Sequence, residues 1–230
     1  MENINDTQLK ILSKLLFSPK LRFRDLNAEA CGTDLFSYHI RSLTKLALIE
    51  RVGGCYCLTR KGKMVATKLD TETSKFEKQP KVSVIIVPHK TVRKQEMFLI
   101  QQRTKEPYYG YWGFVAGKVR WGETLPETGR RELMEETGLG GDCKFCHEIH
   151  EMVYDSESKE MLEDKFFHVV EVSNPHGHLI EKTKEGTNKW VTSAEFLAIS
   201  PKYHNENDLL NWYLQKDFSF KEEKYYISRF

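Results

Sequence analysis

The sequence predicts an α+β protein in two parts, and three observations carry that reading. Apolar residues in the first part recur at helical spacing and end at a Gly-Gly pair. A polar stretch follows, and beyond it short apolar runs of strand type enclose one long amphipathic helix. At 230 residues, 40% hydrophobic and 30% charged, the chain has globular composition and can bury one large core or two small ones. No stretch approaches the ~18 apolar residues of a membrane span. The start, Met1-Glu2-Asn3-Ile4-Asn5-Asp6, lacks the basic and apolar regions of a secretory signal. A cytoplasmic protein with no membrane partner is expected. Five cysteines are too few, and odd in number, for a disulfide framework.

Between Lys68 and Lys81 the chain is polar with one aromatic and a terminal proline, which suits a linker. The boundary is placed at Ser74, giving domains 1–74 and 75–230. Net charge is only +2, yet residues 1–75 hold 13 Lys+Arg against 8 Asp+Glu, leaving 22 against 25 for the remainder. The sign of the charge therefore changes along the chain.

In the first part, Leu9, Ile11, Leu12, Leu15 and Leu16 follow Asp6, a suitable N-cap. A short helix fits 23–28, and a third fits 33–46, where Phe36, Ile40, Leu43 and Leu46 make one apolar face. Strands at 47–52 and 55–59 flank Gly53-Gly54, a pair that accepts the positive φ angles of a two-residue hairpin. A last short helix begins near Arg60.

The second part reads as strands at 82–88, 97–102, 145–154 and 165–172, with helices at 125–137, 192–199 and 208–215. The helix at 125–137 has the best-specified ends. Thr124 and Glu127 form a capping box, Pro126 is tolerated in the first turn, and Gly138 stands at the left-handed C-cap position. Glu132, Glu135 and Glu136 lie at i, i+3, i+4 and so share one face. Like charges there repel by roughly a few tenths of a kcal/mol per exposed pair, and they sit at the negative end of the helix dipole. Mg²⁺ or Mn²⁺ would relieve this, because hard cations take carboxylate oxygens and keep positions that a diphosphate can fill. A solvated acidic face is the competing reading of the three residues alone.

The surrounding residues decide between the two. Gly117-Lys118-Val119-Arg120-Trp121-Gly122-Glu123, seven residues, then Arg131-Glu132-Leu133-Met134-Glu135-Glu136-Thr137-Gly138-Leu139 resembles the Nudix hydrolase box at every defined position. Arg103, Tyr111-Trp112-Gly113-Phe114 and 190–196 also look Nudix-like. The resemblance spans about residues 80 to 220 and implies an α/β/α sandwich with a mixed sheet. It further implies that Glu132, Glu135, Glu136 and the Gly117 carbonyl bind Mg²⁺ or Mn²⁺. Glu123 would pair with Arg131 and aim the loop. The implied reaction is water attack on a diphosphate joined to another moiety. The base is Glu135 or Glu136, or one of Glu160, Glu163, Asp164 and Glu185. Where many relatives carry Pro-Gly, this chain has Val115-Ala116-Gly117.

Just ahead of the box, Tyr108 and Tyr109 are either base-stacking platforms or packing residues, Trp112 is a core residue, and Arg103 is a candidate phosphate contact. Tyr154 stands where ADP-ribose-cleaving relatives tend to carry proline. The sequence thus specifies a bond rather than a molecule.

Helix, helix, helix, hairpin is winged helix-turn-helix order, and 37–51 resembles bacterial and archaeal winged-helix repressors. That resemblance makes Ser37, Tyr38, Arg41, Ser42 and Lys45 the groove-facing residues and Arg51 a phosphate contact in the wing, with double-stranded DNA as partner. Three functions are therefore open: a pyrophosphohydrolase of a nucleotide-like diphosphate, a transcription regulator whose Nudix half senses a nucleotide or nucleotide-sugar effector, and a docking module that brings a hydrolase to a partner. A homodimer is expected by analogy. His39 reads as a helix-face residue without a special role. Cys143, Cys146, His147 and His150 have zinc-ligand types, but strand alternation sends Cys143 and Cys146 to opposite faces. Cys55 and Cys57 read as packing residues.

Overall fold

The computed structural model describes residues 4–27, 32–70, 72–215 and 220–228. The chain divides into two compact units, residues 1–78 and 79–230, four residues beyond Ser74.

The first unit holds α1 (Asp6–Phe17), α2 (Phe23–Leu26), α3 (Thr33–Lys45), β1 (Ile49–Val52), β2 (Cys55–Leu58) and α4 (Arg60–Ala66). Asn5, rather than Asp6, caps α1. Its side chain accepts from the Gln8 amide while the Gln8 side chain accepts from the Asn5 amide, and Asp6 falls in the first turn. The second helix is shorter than 23–28; Ala28 lies outside the described residues. β1 and β2 pair antiparallel around Gly53-Gly54, and Leu21 bridges to Tyr56. Leu12, Leu43, Leu48 and Ile49 are buried in one apolar core with Phe36 and Ile40. His39 joins that side of α3: it is buried, and its Nδ1 lies 3.4 Å from Asn5 Nδ2.

The second unit is built on an eight-stranded mixed sheet. Its strands are β3 (Lys81–Val92), β4 (Gln95–Arg103), β5 (Trp112–Gly113), β6 (Val115–Lys118), β7 (Leu139–Asp155), β8 (Met161–Gly177), β9 (Gly186–Thr192) and β10 (Phe220–Ile227). The main path runs β10-β7-β8-β3-β4-β5, with β6 on β3 and β9 on β4. The β3–β8 and β10–β7 pairs are parallel and the others antiparallel. Helices α5 (Leu125–Thr137), α6 (Ser193–Ala198) and α7 (Glu206–Gln215) complete it.

β3 explains the layering. Val84 and Ile86 pack with Leu133 of α5, whereas Ile85 and Val87 pack with Phe196 of α6 and Leu209 and Leu210 of α7. Alternation sends neighbours to opposite faces, so a continuous apolar run serves two cores at once. α5 spans the predicted residues, with Glu127 accepting from the Thr124 amide at 2.8 Å and Gly138 at φ 72°. Strands β7 and β8 run well past 145–154 and 165–172, and register shifts along the pair interrupt the period-two signal. Among the described residues, no helix is long and apolar enough to cross a membrane.

Candidate functional site

The loop between β6 and α5 is locked by one carboxylate. Glu123 accepts from Arg131 Nε at 2.6 Å and Nη2 at 2.7 Å, from Thr128 Oγ1 at 2.9 Å and from the Arg120 amide at 3.2 Å. The Arg131 hydrogen bonds lead the causes that hold Glu123 down to about 2. Arg131 also donates to the Lys118 carbonyl at 3.1 Å and pairs with Glu132 at 2.6 Å. Loop and helix are thereby tied together before any ligand arrives.

The three carboxylates of α5 differ in surroundings. Glu132 lies against Gly117, where a Cβ would overlap its carboxyl carbon. Glu135 is 48% exposed and accepts from Arg120 Nη2 at 3.2 Å. Glu136 is buried and accepts from Gln101 Nε2 at 3.1 Å; burial raises its pKa against that hydrogen bond. Asn188 braces the same end, donating to the Glu136 carbonyl at 2.7 Å. Arg120 and Arg131 thus supply the counter-charge that the acidic face requires. Among the described residues, no group of three or more His, Cys, Asp or Glu side chains is arranged to hold a metal ion.

All three carboxylates line a cleft of about 1090 Å³, together with Gly117. Arg103, Lys105, Lys118, Arg120 and Lys184 line it as well, so cationic groups share the cleft with the acidic ones. Arg103 is also committed to its own loop, donating to the carbonyls of Lys105 at 2.9 Å and Pro107 at 2.7 Å. Of the candidate bases beyond the helix, Glu163 and Glu185 line the cleft, and Glu185 is held by Lys105. Asp164 instead engages His150 at 2.8 Å, and the Glu160 carbonyl closes the turn after β7.

The aromatic residues separate. Tyr108 lines the cleft but packs edge-on against Tyr111 and Tyr203, each at 5.5 Å between ring centroids. Tyr109 is 63% exposed and lies outside the cleft lining. Trp112 packs against the α6–α7 core, with the Lys189 ammonium 4.1 Å from its ring centroid.

Of the cleft's inner wall, sequence reasoning names only Glu163. Glu151, Glu163, Asn205 and Glu206 line it and are buried. Burial pushes Glu151 up to about 7 and Glu206 up to about 8. A second, more open hollow of about 680 Å³ lies between Trp190 and residues 177–181 and holds none of the expected site residues.

Cys143, Cys146, His147 and His150 do not converge. Cys146 reaches Glu171, His147 stacks on Trp212, and His150 bridges Asp164 and Glu222. In the first unit, Tyr38, Arg41, Lys45 and Arg51 are exposed, Ser37 and Ser42 are half-buried, and the Arg51 guanidinium lies 5.9 Å from the Tyr56 ring centroid.

A family model described as NUDIX domain matches residues 78–213. The MutT protein of Bacillus halodurans aligns at 19% identity with a TM-score of 0.54, over 65% of this chain and 93% of that one. The NUDIX domain of Shewanella oneidensis NrtR, solved in complex with ADP ribose, aligns at 17% identity with a TM-score of 0.53, over 69% and 99%. At these identities the likeness is one of fold.

Proposed function

The chain belongs to the Nudix family, and on that premise we propose that it is a metal-dependent pyrophosphohydrolase of a nucleoside diphosphate joined to another moiety. One observation carries the reading: Glu132, Glu135, Glu136 and Gly117 line one cleft together with seven cationic side chains. In donor chemistry the set fits Mg²⁺ or Mn²⁺, since every candidate ligand is an oxygen, and binding would have to draw the three carboxylates together. The bare Cα of Gly117 is what leaves room for the Glu132 carboxyl. When bound, the ion would polarise the phosphoryl oxygens and acidify the attacking water.

The chain's own residues do the rest. Glu123 and Arg131 hold the loop so that the carboxylates are aimed in advance. Lys105, Lys118 and Lys184 oppose the phosphate charge. Water forms the new P–O bond, the bridging P–O bond breaks, and a carboxylate takes the water proton. That base is drawn from Glu135, Glu136, Glu163 and Glu185, the candidates in the cleft. A NUDIX domain of the same fold complexed with ADP ribose supports a nucleotide-like ligand.

Incubation with Mg²⁺ or Mn²⁺ and a panel of nucleoside diphosphate derivatives tests this. Turnover that EDTA abolishes, and that Glu136→Gln lowers by roughly 10²-fold, is the expected result. Folded, metal-binding protein that turns over none of them overturns it.

The exposed polar side of α3 favours a second role. We propose that residues 1–78 are a winged helix whose Ser37, Tyr38, Arg41, Ser42 and Lys45 enter a DNA groove while Arg51 meets phosphate. A nucleotide bound in the Nudix domain would then shift DNA affinity, and DNA would shift nucleotide affinity by the same factor. Arg41→Ala that binds duplex DNA as tightly as the parent refutes direct readout by α3. Homodimerisation is part of this proposal by analogy, and sedimentation tests it.

A further inference from the structure

The hairpin of the first unit carries a pair of thiols that neither its core nor the cleft uses. β2 reads Cys55-Tyr56-Cys57-Leu58; Leu58 is buried in the core of that unit, and Tyr56 packs against it. Alternation therefore puts Cys55 and Cys57 together on the opposite side of the strand. Across the hairpin they pair with Val52 and Glu50, both exposed, whereas Tyr56 and Leu58 pair with Arg51 and Ile49. The packing role expected of these cysteines is not met. Neither belongs to the apolar core, both are half-buried, and neither is in a disulfide.

Backbone pairing fixes the spacing of the two side chains. β1 runs along one edge of β2 and Leu21 meets the other. The Leu21 amide donates to the Tyr56 carbonyl at 3.1 Å, and the Tyr56 amide donates to the Leu21 carbonyl at 2.7 Å. Tyr56, the residue between the cysteines, is thus held in extended backbone. Residues two apart on such a strand lie ~6.6 Å from each other. A disulfide needs Cβ atoms ~3.5–4.5 Å apart, so the pair cannot close on itself without breaking the strand. A metal at ~2.3 Å from each sulfur, the zinc–thiolate length, asks for only about 4.6 Å between the sulfurs. Side chains leaning toward each other along the strand can supply that separation.

We propose that Cys55 and Cys57 form a two-coordinate site for a soft monovalent cation, copper(I), on the outer face of the hairpin. Thiolate ligands select soft ions. Zinc requires four convergent ligands, and the residues directly opposite are Val52, which has no donor, and Glu50, whose carboxylate suits a harder ion. A Cβ added at Gly53 or Gly54 would have nothing within 4 Å, so the tip beside Cys55 is open to an arriving ion. The Cys57 thiol donates weakly to the Glu50 carbonyl at 3.7 Å, a bond that metal binding gives up. Binding releases both thiol protons to solvent and leaves the oxidation state of the ion unchanged. The site depends on neither the hydrolase nor the DNA reading. Cys143 and Cys146 provide the contrast, because Cys143 packs against a core of the second unit and Cys146 donates to the Lys144 carbonyl at 3.2 Å.

The test titrates the reduced full chain with copper(I) under argon against a chromogenic copper(I) chelator, repeats the titration in excess zinc, and records X-ray absorption on the loaded protein. One ion per chain with two sulfur neighbours, not displaced by zinc, is the expected result. Losing an outer partner costs a metal site about 10–100-fold in affinity, so losing a sulfur ligand in Cys55→Ser or Cys57→Ser should cost at least ~10²-fold. Cys31→Ser, Cys143→Ser and Cys146→Ser should leave affinity unchanged. Alanine replaces serine in any variant whose circular dichroism departs from the parent. Failure to retain copper(I), affinity that survives loss of Cys55 or Cys57, three or more ligands at the ion, displacement by zinc, or one ion shared by two chains each overturns the site.

Discussion

Gly117→Ala separates the stability of this fold from the geometry of its site. The backbone at Gly117 is not in the left-handed region, so alanine meets no φ strain there. Replacing glycine at a permissive position changes stability by less than ~1 kcal/mol, in the stabilising direction if anything. The new Cβ nevertheless overlaps the Glu132 side chain. Ordinary carbon contacts lie near ~3.5–4 Å, so the carboxyl has to retreat by about 1 Å or more. A misplacement of about 1 Å at a catalytic group costs roughly 10²-fold in rate, or about 2.7 kcal/mol of barrier. The assay is kcat/KM against Mg²⁺ concentration, alongside a thermal melt. A variant that melts with the parent and loses about two orders of magnitude is the expected outcome. Activity within threefold of the parent at the same metal dependence would refute the role assigned to the glycine.

Three further outcomes follow from the same contacts. Glu123 is depressed to about 2 from 4.5, so its contribution to stability is complete above pH ~4.5 and disappears as the pH falls toward 2. Glu123→Gln should flatten the urea midpoint over that window, and an unchanged slope counts against the Arg131 clamp. Glu206 is raised to about 8, so the folded state keeps a proton that the unfolded chain has lost, and stability declines from pH ~4.5 to 8. Glu206→Gln retains an acceptor for Phe114 and should reduce that decline in denaturation curves at pH 5 and 8; an identical decline excludes the buried acid. Leu133→Ala removes a fully buried side chain beneath α5 and should lower unfolding free energy by about 2–5 kcal/mol, a loss below 1 kcal/mol being the contrary result.

The parts that sequence exposed are those where local chemistry fixes the backbone. α5 begins and ends where predicted because Thr124, Glu127 and Gly138 satisfy its terminal groups. The cap of α1 was misassigned although its signal was present: three residues after Asn5 stands Gln8, whereas three after Asp6 stands Leu9, which cannot complete the box. Other features have no local signature. β10 reads Phe-Lys-Glu-Glu-Lys-Tyr-Tyr-Ile and pairs with a strand some seventy residues earlier, so tertiary pairing rather than an apolar pattern creates it. β9 was missed for the same reason, since its partner β4 lies far away in the chain. The carboxylate face was predicted, but Arg120 as its partner was not, because an arginine fifteen residues away is not a helical neighbour. Asn205 carries no motif at all; burial alone gives it meaning.

The two-sided burial of β3 bears on how the sheet finds its alignment. Ile85, Ile86 and Val87 would be content in either oily layer, so hydrophobicity alone would let the strand slide by one notch. Lys81 and Ser83 forbid the slide, since a shifted strand would drive both toward the side that α5 covers. The residues that wet the cleft therefore act as its keel, and a chain with valine at both places should assemble in mixed registers.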